Sequence, residues 1–280
     1  MLIFADILSS TILFAVPLLL VALGGMFSER SGIINIALEG IMIVGALLSC
    51  LFLRAMDQLG WGAAHPQLAV FCAILVAALS GAVFSMLLAF ASVHLKANQT
   101  IGGTALNMLA PAFAIVLTWA IQGQGQTTIA IPKWVRITSE ASQEVFFNRL
   151  IFKSLYLTTP IAILLLIASV IILDKTRLGL RLRSCGEHPQ AADSVGINVY
   201  KMRYIGVFIS GMLGGIGGLA FTVASGSGFQ APGSPGPRAT HQVSHRVFPP
   251  GHPAKFFYTD LPENFRRIPR QFAVVLPGRA

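Results

Sequence analysis

Charge is scarce in this chain. Asp, Glu, Lys and Arg supply 11% of its 280 residues, hydrophobic residues supply 54%, and the mean hydropathy is +0.71. Soluble domains draw about a quarter of their residues from those four types, so a soluble globule is excluded and an integral membrane protein is implied. Cysteine is equally thin: Cys50, Cys72 and Cys185 are far apart and never form C-x-x-C, which argues against a disulfide framework or a metal site. Walker A, H-E-x-x-H and G-x-S-x-G segments are missing. Gly215, Gly217 and Ala220 match the dinucleotide fingerprint, but no strand precedes them and no acidic residue follows at the right distance. We therefore expect no catalytic residue, no metal and no cofactor in this chain, a protein that is not an enzyme, and an energy source held by a partner.

What the chain has instead is long uncharged runs. Residues 7–28, 40–53, 58–95, 97–132, 154–173 and 204–237 contain no Asp, Glu, Lys or Arg. A helix crosses the hydrocarbon in about 20 residues, and barrel-type alternation is absent. The fold class expected is all-α, a polytopic transmembrane helical bundle. Its spans, about six within residues 1–230, are expected near 8–27, 33–53, 68–93, 101–121, 155–173 and 204–224. The first run carries Asp6 and lacks a basic leader, so it reads as a retained span rather than a signal peptide. The net charge of +9 is concentrated, with six of 20 basic residues in 175–203 and seven in the last 50 positions. Because no basic stripe is interleaved with aromatics, nucleic acid is not an expected partner. The loop 174–203 is more basic than 122–154, so the positive-inside bias puts it in the cytoplasm. Counting spans backwards then puts Lys96 and Arg30 on the same side.

Three segments carry polar chemistry inside this apolar frame. In Gly24–Ala46, Asn35 and Glu39 are four apart and would share one face of a helix. A carboxylate two turns into a span costs about 2.5 to 3.5 kcal/mol on insertion scales. That cost points to a polar path, or to a broken helix beside one with Gly24, Gly25 and Gly32 permitting the break; the blander reading pairs Glu39 with a neighbouring helix. In 94–107, Asn98, Gln99 and Asn107 are uncharged amides that suit a neutral, hydroxyl-bearing solute, although Asn107 is equally suited to an interhelical hydrogen bond. Gly211, Gly214, Gly215 and Gly218 give the last span a close-packing face. Finally, Glu187–Asn198 has Pro189 near a helix start, Ala191 and Ala192 as small docking residues and Gly196 as a stop. Such a short helix can lie in a groove of another protein.

The loop G-E-H-P-Q-A-A-D-S-V-G-I-N-V-Y-K-M-R resembles the E-A-A…G signature by which permease subunits of bacterial ABC importers dock their ATPases, and F-S-E-R-S-G-I-I-N-I-A-L-E-G-I-M looks like the hallmark of the simple-sugar and nucleoside (ribose-type) branch. The similarity runs from about residue 10 to Gln230. It implies a multi-pass protein of the bacterial cell membrane that forms the pathway for a nucleoside or simple sugar by alternating access. Its implied partners are an ABC ATPase subunit that holds the ATP, a second permease and an extracytoplasmic solute-binding protein. Glu187, Ala191, Ala192 and Gly196 would form the coupling helix within the cytoplasmic loop 174–203. Asn35, Glu39, Asn98, Gln99 and Asn107 are the pathway candidates. A secondary transporter or channel for a small polar solute is the alternative, and an intramembrane enzyme acting on lipid a weaker one.

The sequence changes character after Gln230. Nine of 15 prolines fall in the last 50 residues, and no run there could span a bilayer. Permeases of this branch continue with further spans, so residues 1–230 are expected to be a permease domain truncated relative to the family. For 231–280, a disordered Pro/Arg-rich tail is one expectation and out-of-frame translation is the preferred one.

Overall fold

The computed structural model describes residues 2–123, 127–135, 158–225 and 228–231. Of the tail expected over 231–280, only Ala231 is among them. Apolar sequence folds into α1 (Leu2–Arg30), α2 (Leu38–Gln58), the single turn α3 (Trp61–Ala64), α4 (Pro66–Val93) and α5 (Gln99–Gln122). After these come α6 (Thr158–Lys175), α7 (Arg177–Glu187), α8 (Pro189–Ser194) and α9 (Val199–Ser225). Two short strands, β1 (Thr128–Ile129) and β2 (Phe229–Gln230), pair antiparallel with Thr128 opposite Gln230. The chain is an all-α bundle, as its composition requires. Helices α1, α2, α4, α5 and α9 are long and apolar enough to cross a membrane. The remaining expected span corresponds to α6, whose described part has 18 residues.

Local sequence sets the helix starts. Pro66 opens α4 at a position where its missing N–H costs nothing. The Asn98 side chain accepts from the Thr100 N–H at 2.9 Å and caps α5. Thr176 likewise caps α7 by accepting from Gly179.

The bundle is organised around α9, which packs on α1, α2 and α4. In its most apolar stretch 72% of residues are buried, against 17% for α5 at the periphery. In lipid there is little hydrophobic drive for one helix to prefer another, so association depends on close van der Waals contact. The glycines of α9 supply it. A Cβ placed on Gly45 would lie 2.5 Å from the Gly215 Cα, and one on Gly211 would lie 2.6 Å from the Gly81 carbonyl oxygen. One on Gly214 would press on Ile41 at 3.1 Å, and Gly218 faces the Met42 backbone. Leu20, Phe27, Ala77, Leu213 and Leu219 fill the space beside these crossings.

One expected span is displaced. Residues 33–53 were expected to be one helix, but α1 ends at Arg30 and α2 starts at Leu38, leaving 31–37 irregular. The physical reason is Gly32, at φ +83°. The Gly32 N–H bonds Glu29 O at 3.0 Å and the Ile33 N–H bonds Ser28 O at 3.2 Å, the paired bonds by which a left-handed glycine terminates a helix. Asn35 then holds an Asx-type turn, its Oδ1 accepting from the Ala37 N–H at 3.2 Å. Asn35 and Glu39 therefore do not share a helix face, and the four-residue spacing between them has no helical meaning.

The two ends of the bundle differ. At one, Gly186 of the basic loop packs on the Arg30 backbone, and Lys96 lines a cavity with Pro189 and Arg203. At the other, the Trp134 indole donates to Asp57 at 2.7 Å and β1 meets β2. Arg30, Lys96 and the loop 174–203 thus lie together, as the charge bias predicts. If backbone contact at α9 holds the bundle, Gly45→Leu, which overpacks the Gly215 crossing by far more than one methyl, should lower the detergent melting temperature by about 5 °C or more. Fluorescence-detected size exclusion after heating checks this.

Candidate functional site

The irregular stretch 31–37 joins two membrane-length helices at the end of the bundle that carries the basic loop, and its peptide groups need partners outside the helical pattern. Side chains from α5 pair two of them, and α9 bonds the side chain of Asn35. The Ile34 N–H donates to Gln99 Oε1 at 2.9 Å. Asn107 Nδ2 donates to the Ile36 carbonyl at 2.8 Å, and its Oδ1 accepts from the Gly40 N–H at 2.8 Å. Asn35, 6% exposed, donates from Nδ2 to Ser210 Oγ at 2.8 Å. Leaving the buried Asn35 amide unpaired would cost about 1 to 3 kcal/mol, while the Asn107 bonds are part-buried and the Ile34 bond is exposed.

Three of the five pathway candidates, Asn35, Gln99 and Asn107, thus converge on the break, with their amides committed to backbone or to Ser210. Asn98 is exposed and serves as the α5 cap. Glu39 is also exposed, and it stands in the first turn of α2 rather than two turns into a span. There the helix N-terminus offsets part of its charge. Ser210 was missed by the sequence reading; its signal was a hydroxyl within a glycine-rich, otherwise apolar helix.

The basic loop folds into α7 and α8, which share His188 as the cap between them. Leu182 and Cys185 anchor α7 at 0% exposure, and Arg183 forms an ion pair with Asp174. Burial pushes the Cys185 thiol above its ordinary pKa, countered by a bond with Ser184 and the charge of Arg203. Pro189 occupies the first turn of α8, and Gly196 at φ +81° follows its end with open space around it. Glu187, Ala191 and Gly196 are exposed. Ala192, at 3% exposure, faces the chain's own core. It is not available as an outward docking residue, which corrects the paired-alanine expectation: the helix turns one alanine in and one out. Between α8 and the α4–α5 turn is a cavity of about 480 Å³ lined by Lys96, Gln99, Gln190, Asp193, Tyr200 and Arg203, among others.

The family described as "Branched-chain amino acid transport system / permease component" matches residues 7–233. The chain belongs to this permease family. It is similar to the guanosine ABC transporter permease protein NupQ of Bacillus subtilis (strain 168), 45% identical over 236 residues that cover 80% of this chain and 72% of that protein. It is also similar to the nucleoside ABC transporter permease protein NupC of Lactococcus lactis subsp. cremoris (strain MG1363), 41% identical over 226 residues covering 80% and 69%. A third relative, the putative glucose ABC transporter permease protein TsgC13 of Haloferax volcanii (strain ATCC 29605 and synonyms), is 30% identical over 234 residues covering 79% and 63%. No solved structure matches. This permease is a multi-pass protein of the cell membrane and a transport subunit of the ABC class.

Replacing Asn107 with Leu should strip the Ile36 carbonyl and the Gly40 N–H of their partner. We predict a loss of roughly 2 to 4 kcal/mol, read as a lowered melting temperature, while Asn107→Gln retains part of the stability and Thr104→Ala, at an exposed position on the same helix, changes little.

Proposed function

We propose that this permease carries a nucleoside inward as one membrane subunit of an ATP-driven importer. The observation that carries the reading is the 45% identity to a guanosine permease across most of both chains, reinforced by a second nucleoside permease at 41%. Chemistry supports it as well. The side chains that bond to the break itself are the amides of Gln99 and Asn107, groups that can exchange hydrogen bonds with the hydroxyls and base edges of a nucleoside.

In this reading ATP is bound and hydrolysed on a separate ATPase subunit, and this chain holds no ATPase site of its own. The exposed residues Glu187, Ala191 and Gly196 present α8 to that subunit. A second permease completes the pathway and a solute-binding protein delivers the nucleoside from outside. Asn35, Gln99 and Asn107 shape the wall at the break. Glu39 is the candidate to face the pathway, because an exposed carboxylate on a membrane bundle needs a polar surface. Residues 1–230 act as the permease domain, and 231–280 lie outside it; the family match and the apolar pattern both stop near residue 233.

The test is uptake in a strain deleted for this gene and supplied with it together with its companion subunits. Labelled guanosine should accumulate only with the intact chain and an active ATPase, and leucine uptake should not change. Leucine transport in place of guanosine would overturn the substrate, and guanosine uptake that persists without the ATPase would favour a gradient-driven transporter.

A further inference from the structure

We propose that Gly186 is a positioning residue for coupling: it seats the end of α7 directly on the backbone of the break, so that a displacement of α8 moves the 31–37 segment. The inference rests on the reading of α8 as the element gripped by an ATPase. Its own basis is a contact in which no side chain intervenes. A Cβ on Gly186 would lie 2.5 Å from the Arg30 carbonyl oxygen and 3.2 Å from the Gly32 nitrogen, and one on Gly32 would lie 3.3 Å from the Gly186 Cα. On the facing side, a Cβ on Gly206 of α9 would lie 2.5 Å from the Ser31 Cβ. The start of the break is thus held between two glycine surfaces on α7 and α9.

Backbone against backbone is a stiff junction. Packed protein interiors are nearly incompressible and transmit strain, whereas a long side chain at the contact could change rotamer and absorb it. Two further features extend the junction in both directions. Towards the docking side, α7 and α8 are separated by a single residue, His188, which caps both. Towards the pathway side, the Ile34 N–H is tied to Gln99, which also lines the cavity beneath α8. Movement of α8 therefore reaches the same amides that set the wall of the candidate pathway. The loop motif read from the sequence begins at Gly186, but the docking residues assigned within it start at Glu187.

The experiment uses the full transporter, reconstituted with its ATPase, second permease and solute-binding protein, and reads guanosine moved per ATP hydrolysed. Gly186→Ala should keep ATP hydrolysis while lowering that ratio by about tenfold; an unchanged ratio in the assembled variant overturns the proposal. A wild-type assembly that moves no guanosine, or hydrolyses no ATP, condemns the functional reading instead. Should Gly186→Ala fail to assemble, spin labels on the otherwise wild-type complex decide. The distance between labels at Ile34 and Ala191 should stay within ~2 Å on adding a non-hydrolysable ATP analogue, while both shift relative to a label at Leu59. A change between Ile34 and Ala191 larger than that overturns the rigid junction.

Discussion

A peptide group outside the helical pattern must find its partner elsewhere, and the stretch between α1 and α2, at the basic end of the bundle, gives up the helical solution. Everything distinctive about this permease follows from how that debt is settled. Gly32 closes α1 with its own backbone bonds, Asn35 turns the chain, and Asn107 and Gln99 reach across from α5 to take Ile36, Gly40 and Ile34. The break is paired at Ile34 and Ile36 by side chains that come from elsewhere in the fold. It is thus in contact with α5, α7 and α9 at once.

Close approach at α9 makes those partners reachable. Ser210 meets Asn35 because glycines on α9 let α1, α2 and α4 come to backbone distance. The same glycine chemistry recurs at Gly186 and Gly206, where α7 and α9 enclose the start of the break. Small residues thus serve two purposes: they replace the hydrophobic drive that lipid removes, and they keep compliant side chains out of the contact between the loop 174–203 and the break.

Much of this was legible in the residues. Uncharged runs fixed the helical bundle, and the loop basicity put Arg30, Lys96 and 174–203 at one end. The glycine spacing on α9 and the Pro189-to-Gly196 bounds of the short helix could be read because each is a local rule. Failures came where tertiary partners decide. A run of apolar residues from Ile33 to Ala46 looks like one helix until Gly32 adopts a left-handed conformation, and that error placed Glu39 too deep and joined it to Asn35. The amides of Asn35 and Gln99 looked free for a solute because their partners, Ser210 and Ile34, are 175 and 65 residues away, whereas Asn107 makes the interhelical bond that was the second reading of its position. Ala192 looked outward because periodicity alone does not say which side of a one-turn helix the bundle covers.

Hydrogen–deuterium exchange at single-amide resolution tests the central claim most directly, because Ile34 is exposed and, among the described residues, its N–H is bonded by Gln99 alone. The account predicts that the Ile34 and Gly40 amides exchange as slowly as those in the middle of α2. Exchange at the rate of an open loop would contradict it, since the break would then be an unpaired hinge and not a clamped part of the wall.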